Sequence, residues 1–112
     1  HANFAVGTET RWQARWDSWN REVSSFEGTD WDAKFHVWRL DWDADRACIF
    51  VDDEQVNCTD VDDMRNPDGF APFRQPHYVL LNLAIGGSGG GAVSGGTRFP
   101  THYVIDYVRV YQ

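Results

Sequence analysis

The stretch Gln75-Pro76-His77-Tyr78-Val79-Leu80-Leu81-Asn82-Leu83-Ala84-Ile85-Gly86-Gly87 constrains the fold more than any other part of this 112-residue chain. Proline at its start and two glycines at its end punctuate an apolar run of strand length. With a period of two, Val79, Leu81, Leu83 and Ile85 fall on one face, and Tyr78, Leu80, Asn82 and Ala84 on the other. A strand apolar on both faces has to be covered on both. The amide of Asn82 then has two readings, the floor of a wet cleft where it bonds a polar ligand, or a buried group satisfied by neighbouring backbone.

Other segments repeat the strand pattern. His1 to Val6 reads as a short strand ended by Gly7. Phe35 to Asp43 places His36, Trp38, Leu40 and Trp42 on one face, the expected core side, and Phe35, Val37, Arg39 and Asp41 on the other. His36 is expected to be a satisfied core histidine, and Arg39 and Asp41 structural charges on an exposed face. His102 to Gln112 alternates without a polar face, so Asp106, beside Val104, Val108 and Val110, needs a partner there: a basic group, backbone N–H groups or a cation. Between the first two strands, residues 8–34 are expected to form a Trp-rich loop with at most one helical turn. Trp12, Trp16 and Trp19 recur at helical spacing, but Ser24, Ser25, Gly28 and Thr29 break any long helix. These indoles either pin the loop to the body or offer a stacking platform.

Ala47 to Thr59 reads as a hairpin carrying both cysteines. A three-residue turn at Asp52–Glu54 would set Cys48 against Cys58, whereas a two-residue turn puts them one position out of register, so a disulfide and a pair of free buried thiols both remain open. The link that follows holds Asp60, Asp62, Asp63 and Asp68 but lacks the glycine and glutamate offsets of an EF-hand, and reads as a solvated loop. Asn57-Cys58-Thr59 fits a glycosylation sequon. Residues 86–98 form a Gly-rich flexible loop without the Gly-Lys-Ser/Thr of a phosphate cradle.

A net charge of −7 argues against nucleic acid or an anionic membrane as partner, and no apolar run is long enough to span a bilayer as a helix. Aromatic residues make up 15% of the chain, enough to fill a core and still present rings to a neutral ligand. The N-terminus lacks the basic and apolar regions of a signal peptide, so a secreted protein is seen here in mature or truncated form. Short strands, turn-rich connections and no long amphipathic helix predict an all-β sandwich or barrel.

Four ordered segments extend this. Phe35-His-Val-Trp-Arg-Leu-Asp-Trp-Asp43, Ile49-Phe-Val-Asp-Asp-Glu-Gln-Val56, Pro72 through Gly87, and Phe99-Pro100 with Val104-Ile-Asp-Tyr-Val-Arg-Val-Tyr-Gln112 together resemble the C-terminal half of glycoside hydrolase family 16, which includes laminarinases, lichenases and agarases. The resemblance implies a concanavalin-like jelly-roll β-sandwich of two curved antiparallel sheets, of which this chain supplies part, residues 1–112 being the C-terminal portion of one domain. It implies a secreted, endo-acting, retaining hydrolase of β-glucan or galactan, extracellular or periplasmic, with the N-terminal half of the same domain as partner. The family's Glu-x-Asp-x-x-Glu signature is absent from these residues, so no catalytic carboxylate is assigned, and Glu9, Glu22 and Glu27 are too irregularly placed to substitute. By position, the resemblance makes His1, Trp12, Trp16, Trp19 and Asn82 substrate-binding candidates and Asp106 a ligand of a structural calcium ion, with no cofactor for catalysis. Two other readings stay open: a lectin-like module that binds glycan without cleaving it, and a His1 N-terminus that chelates copper with His36, His77 or His102.

Overall fold

The computed structural model describes residues 1–7, 13–26, 28 and 30–112. They fall into two units, 1–77 and 78–112. The first is all-β, with two antiparallel sheets and only single turns of 3-10 helix. Strand β1 (Ala2–Val6) pairs with β2 (Arg15–Trp19), and β3 (Trp38–Trp42), β4 (Arg46–Val51) and β5 (Glu54–Asp60) form a three-stranded meander.

Local chemistry explains the meander. The β3–β4 turn closes because the Asp43 carboxylate accepts the N–H groups of Asp45 and Arg46, both at 2.8 Å. The β4–β5 turn is the two residues Asp52 and Asp53, both at positive φ (48° and 69°), as the hairpin turn that matches strand twist requires. Aspartate tolerates that conformation better than most residues. A two-residue turn alone would misalign the cysteines. Instead a bulge follows: Phe50 faces Gln55 but Ile49 faces Asn57, leaving Val56 unmatched, and this restores Cys48 opposite Cys58, which are joined by a disulfide. The actual register therefore combines the short turn with the pairing expected from the longer one.

Two apolar clusters hold the sheets together. Phe4 and Val6 of β1 pack with Ala47 of β4 and with Val61 and Met64. Ala2 packs with Val51 and Val56, flanked by Trp19, Trp31 and Ile49. Asn57 adds a polar stitch, its side-chain amide donating to the carbonyls of Ala2 (3.0 Å) and Asp17 (3.2 Å). Both amide hydrogens are thereby engaged, so the sequon asparagine serves the sheet junction and is not presented to solvent for glycan attachment. The acidic link is not merely solvated either. Val61–Met64 makes one 3-10 turn that buries Val61 and Met64 while Asp62 and Asp63 point outward. Gly7 permits this docking: a Cβ there would overlap the Arg65 carbonyl, and the Gly7 N–H donates to Asp63 O at 3.0 Å.

Three sequence expectations need correction. Residues 8–34 are not simply a loop, since they contain β2. Its inward positions are Arg15, Asp17 and Trp19, too polar for an alternation to be visible. The row Trp38, Leu40 and Trp42 does lie on the core side of its sheet, opposite Val51, Ile49 and Ala47, but it is 53, 52 and 39% exposed. The β1–β2 pair lies over β5, so this edge strand is left largely bare. Trp42 gains cover, edge-on to Phe73 at 6.2 Å and His77 at 5.0 Å.

The third correction concerns the second unit. Neither 77–85 nor 102–112 forms a strand: among the described residues, 78–112 contain no sheet pairing, and Tyr78, Val79, Leu81, Leu83, Ile85, Val104 and Val110 are exposed. Alternation supplies faces, but a strand also needs a neighbour for its backbone groups, and none is paired with these segments. The Gly-rich loop has order of its own. Gly87–Gly90 makes one helical turn, and Thr97 closes a turn on Ser94 through its N–H (3.0 Å) and hydroxyl (3.1 Å).

Candidate functional site

The register of β1 and β2 sorts their side chains without ambiguity. Ala2, Phe4 and Val6 face the core with Trp19, Asp17 and Arg15 opposite them. Asn3 and Ala5 therefore face outward, opposite Ser18 and Trp16, and His1 continues that face by alternation. Across from the Trp16 indole stands the methyl of Ala5, and Trp16 is 62% exposed. A flat aromatic surface thus lies beside an amide and a hydroxyl, with the His1 imidazole farther along the same face. An indole face packs on the C–H side of a sugar ring while such polar groups bond its hydroxyls.

This face brings together two of the residues expected from sequence, His1 and Trp16, and adds two, Asn3 and Ser18. These two escaped notice because their placement depends on the β1–β2 register, which no periodicity in 13–20 disclosed. Trp19 goes to the other side and packs at the core, so of the two roles considered for the loop indoles it takes the anchoring one. Trp12 lies outside the described residues. Asn82 is exposed in the second unit. Asp106 is also exposed there, so burial does not demand the partner that its valine neighbours suggested.

Among the described residues, the outer face of β1 and β2 carries no carboxylate, whereas retaining glycoside hydrolysis uses two carboxyl groups about 5 Å apart. No group of three or more His, Cys, Asp or Glu side chains able to hold a metal ion comes together among the described residues. His36 is occupied: Nδ1 lies 2.5 Å from the Asp52 carboxylate and Nε2 2.6 Å from the Trp31 carbonyl oxygen, leaving neither nitrogen for copper. It is satisfied as expected, by a carboxylate supplied from the β4–β5 turn. Arg39 is the structural charge anticipated, paired with Asp41 at 3.0 Å and Asp53 at 2.8 Å.

Comparison with known proteins adds independent information. The family model for glycosyl hydrolases family 16 matches residues 3–109. A beta-glucanase of Rhodothermus marinus is 34% identical over 82 residues, covering 70% of this chain and 29% of that protein. A glucan endo-1,3-beta-glucosidase A1 of Niallia circulans is 33% identical over 95 residues, covering 77% of this chain and 13% of that protein. A beta-1,3-glucan-binding protein of Penaeus monodon is 33% identical over 104 residues, covering 75% of this chain and 28% of that protein. The chain thus spans less than a third of the length of each of these relatives. No solved structure matches it.

Proposed function

The chain belongs to glycosyl hydrolases family 16, and from that premise we propose that it forms part of a secreted, retaining β-glucan hydrolase and supplies glycan-binding surface to it. The observation that carries this reading is the exposed Trp16 indole beside Asn3 and Ser18, with His1 farther along the same sheet face. Relatives named as glucan-cleaving enzymes support β-glucan as the polymer. The two carboxyl groups come from a Glu-x-Asp-x-x-Glu segment that these 112 residues do not contain, one ionised to attack the anomeric carbon and one protonated to release the leaving oxygen. The Cys48–Cys58 bridge supports an oxidising compartment. Asn82 is retained as a further glycan contact.

A second reading, glycan binding without cleavage, is favoured by one observation: a relative is named as a glucan-binding protein. Reducing-sugar release from laminarin and lichenan by the full natural protein decides between them. New reducing ends support the hydrolase; retention of the polymer without them eliminates it and leaves the binder. In either case Trp16→Ala is expected to weaken laminarin binding about tenfold, equivalent to about 1.4 kcal/mol, measured by affinity electrophoresis. An unchanged mobility shift removes the β1–β2 face from the proposal.

Calcium at Asp106 is a separate proposal. Calcium takes 6–8 oxygen ligands, and this exposed carboxylate supplies at most two, so the described residues do not make the site alone. If the ion binds with further oxygens, EDTA lowers the Tm of the full protein and excess calcium restores it; a Tm indifferent to both excludes the site.

A further inference from the structure

The segment between β2 and β3 is tied to the β4–β5 turn through a stack of four side chains. The Arg21 guanidinium sits 4.0 Å over the Phe26 ring, Phe26 stacks on Trp31 at 4.2 Å and 15°, and Trp31 stacks on His36 at 3.8 Å and 20°. Both ends of the stack return to one hairpin. Arg21 pairs with Glu54 at 3.2 Å, and His36 pairs with Asp52. Asp52 is itself fixed, its carboxylate accepting the Val37 N–H at 2.9 Å and its own N–H donating to Val37 O at 3.0 Å.

The two partners of His36 are both pure acceptors, a carboxylate on Nδ1 and a backbone carbonyl on Nε2. A neutral imidazole carries one N–H and leaves the other nitrogen's lone pair facing an oxygen; only the imidazolium donates to both. Its side chain is 12% exposed, so water offers little substitute. A cation is also favoured on the Trp31 face by the ring quadrupole. We propose that His36 is a proton-dependent clasp: as the imidazolium it locks the Trp31–Phe26–Arg21 stack onto the Asp52–Glu54 turn, and loss of its proton loosens that stack from the turn.

Among the described residues, the charged groups around it are few. Asp52 approaches from the turn and Lys34 from its own segment, the latter drawn toward Asp30 at 2.9 Å; the Arg21–Glu54 pair lies at the far end of the stack. The hydrogen bond to Asp52, then that to the Trp31 carbonyl, raises the His36 pKa above its ordinary value against the opposing effects of burial and Lys34. For Asp52, burial acts upward, but the hydrogen bonds from His36 and Val37 together with the imidazolium charge hold it below the usual carboxyl range. The signs follow. The His36 contribution is complete below the ordinary imidazole pKa and is lost as pH rises through the raised folded value, while the Asp52 contribution is lost as pH falls through its lowered one. The clasp is tightest between them.

Chemical-shift titration of the histidines in the native and urea-denatured chain tests this directly. The His36 midpoint is expected to lie higher in the native protein than in the denatured one, and a native midpoint at or below the denatured value overturns the clasp. Tm profiles from pH 6 to 9 extend the test, with a steeper fall in the wild type than in His36→Gln. Parallel profiles would also overturn it. The indole emission should rise as His36 loses its proton, with that step absent in Trp31→Phe; a step that persists there contradicts the stack as the coupled element. Should a variant fail to fold, the wild-type titration decides.

Discussion

Phe4→Ala is expected to destabilise the fold by about 3–5 kcal/mol, the range for removing a buried phenylalanine side chain. Phe4 is buried in the cluster with Val6, Ala47, Val61 and Met64, and it meets Phe73 edge-on at 6.5 Å. Those neighbours come from β1, β4 and two separate 3-10 turns, each fixed by its own backbone bonds. They cannot all move inward to fill the space, so much of the cavity term persists. Chemical denaturation measures the loss as a lower midpoint at unchanged slope. Phe35→Ala is the control: this ring is 70% exposed and its loss should change stability by no more than about 0.5 kcal/mol. A Phe4→Ala loss as small as the control's would show that this cluster is not the core.

Removing the disulfide by the double substitution Cys48→Ala/Cys58→Ala is expected to lower stability by about 3 kcal/mol or less, since the bridge closes a short loop. For a unit of this size each kcal/mol lost corresponds to roughly 4–8 °C in Tm. The loss arises mainly in the unfolded chain, because turn and bulge already set the register in the folded one. Thiol titration of the native, unreduced protein should find no free cysteine; two reactive thiols would refute the bridge, and an unchanged Tm in the double variant would refute its contribution.

Much of the hairpin is legible in the amino-acid sequence. Apolar β-branched and aromatic residues on either side of Asp52-Asp53-Glu54 mark it, and the alternation of Trp38-Arg39-Leu40-Asp41-Trp42 identifies the core side of β3 correctly. The bulge at Val56 was not legible, because one extra residue leaves no mark on composition or periodicity, yet it decides whether two cysteines meet. The outer face of β1 and β2 was half legible. His1 and Trp16 were singled out, but grouping them with Asn3 and Ser18, and sending Trp19 inward, required a register between segments whose connecting residues show no pattern.

The strands of 75–87 and 102–112 show the opposite error. Both read in sequence as strands apolar on both faces, and in the structure neither is paired. Side-chain periodicity is a local property, readable from neighbours two apart, whereas a sheet is made by backbone hydrogen bonds to a second strand that may lie anywhere in sequence. The amino-acid order by itself determined the all-β class, the family, the hairpin and the acidic, aromatic character that suits a neutral glycan. Tertiary structure alone decided which faces Trp16 and Trp19 take, that Asn57 stitches the two sheets, and that His36 finds its carboxylate sixteen residues away at Asp52. Each of these depends on long-range register, and register is set by packing rather than by any single residue's preference.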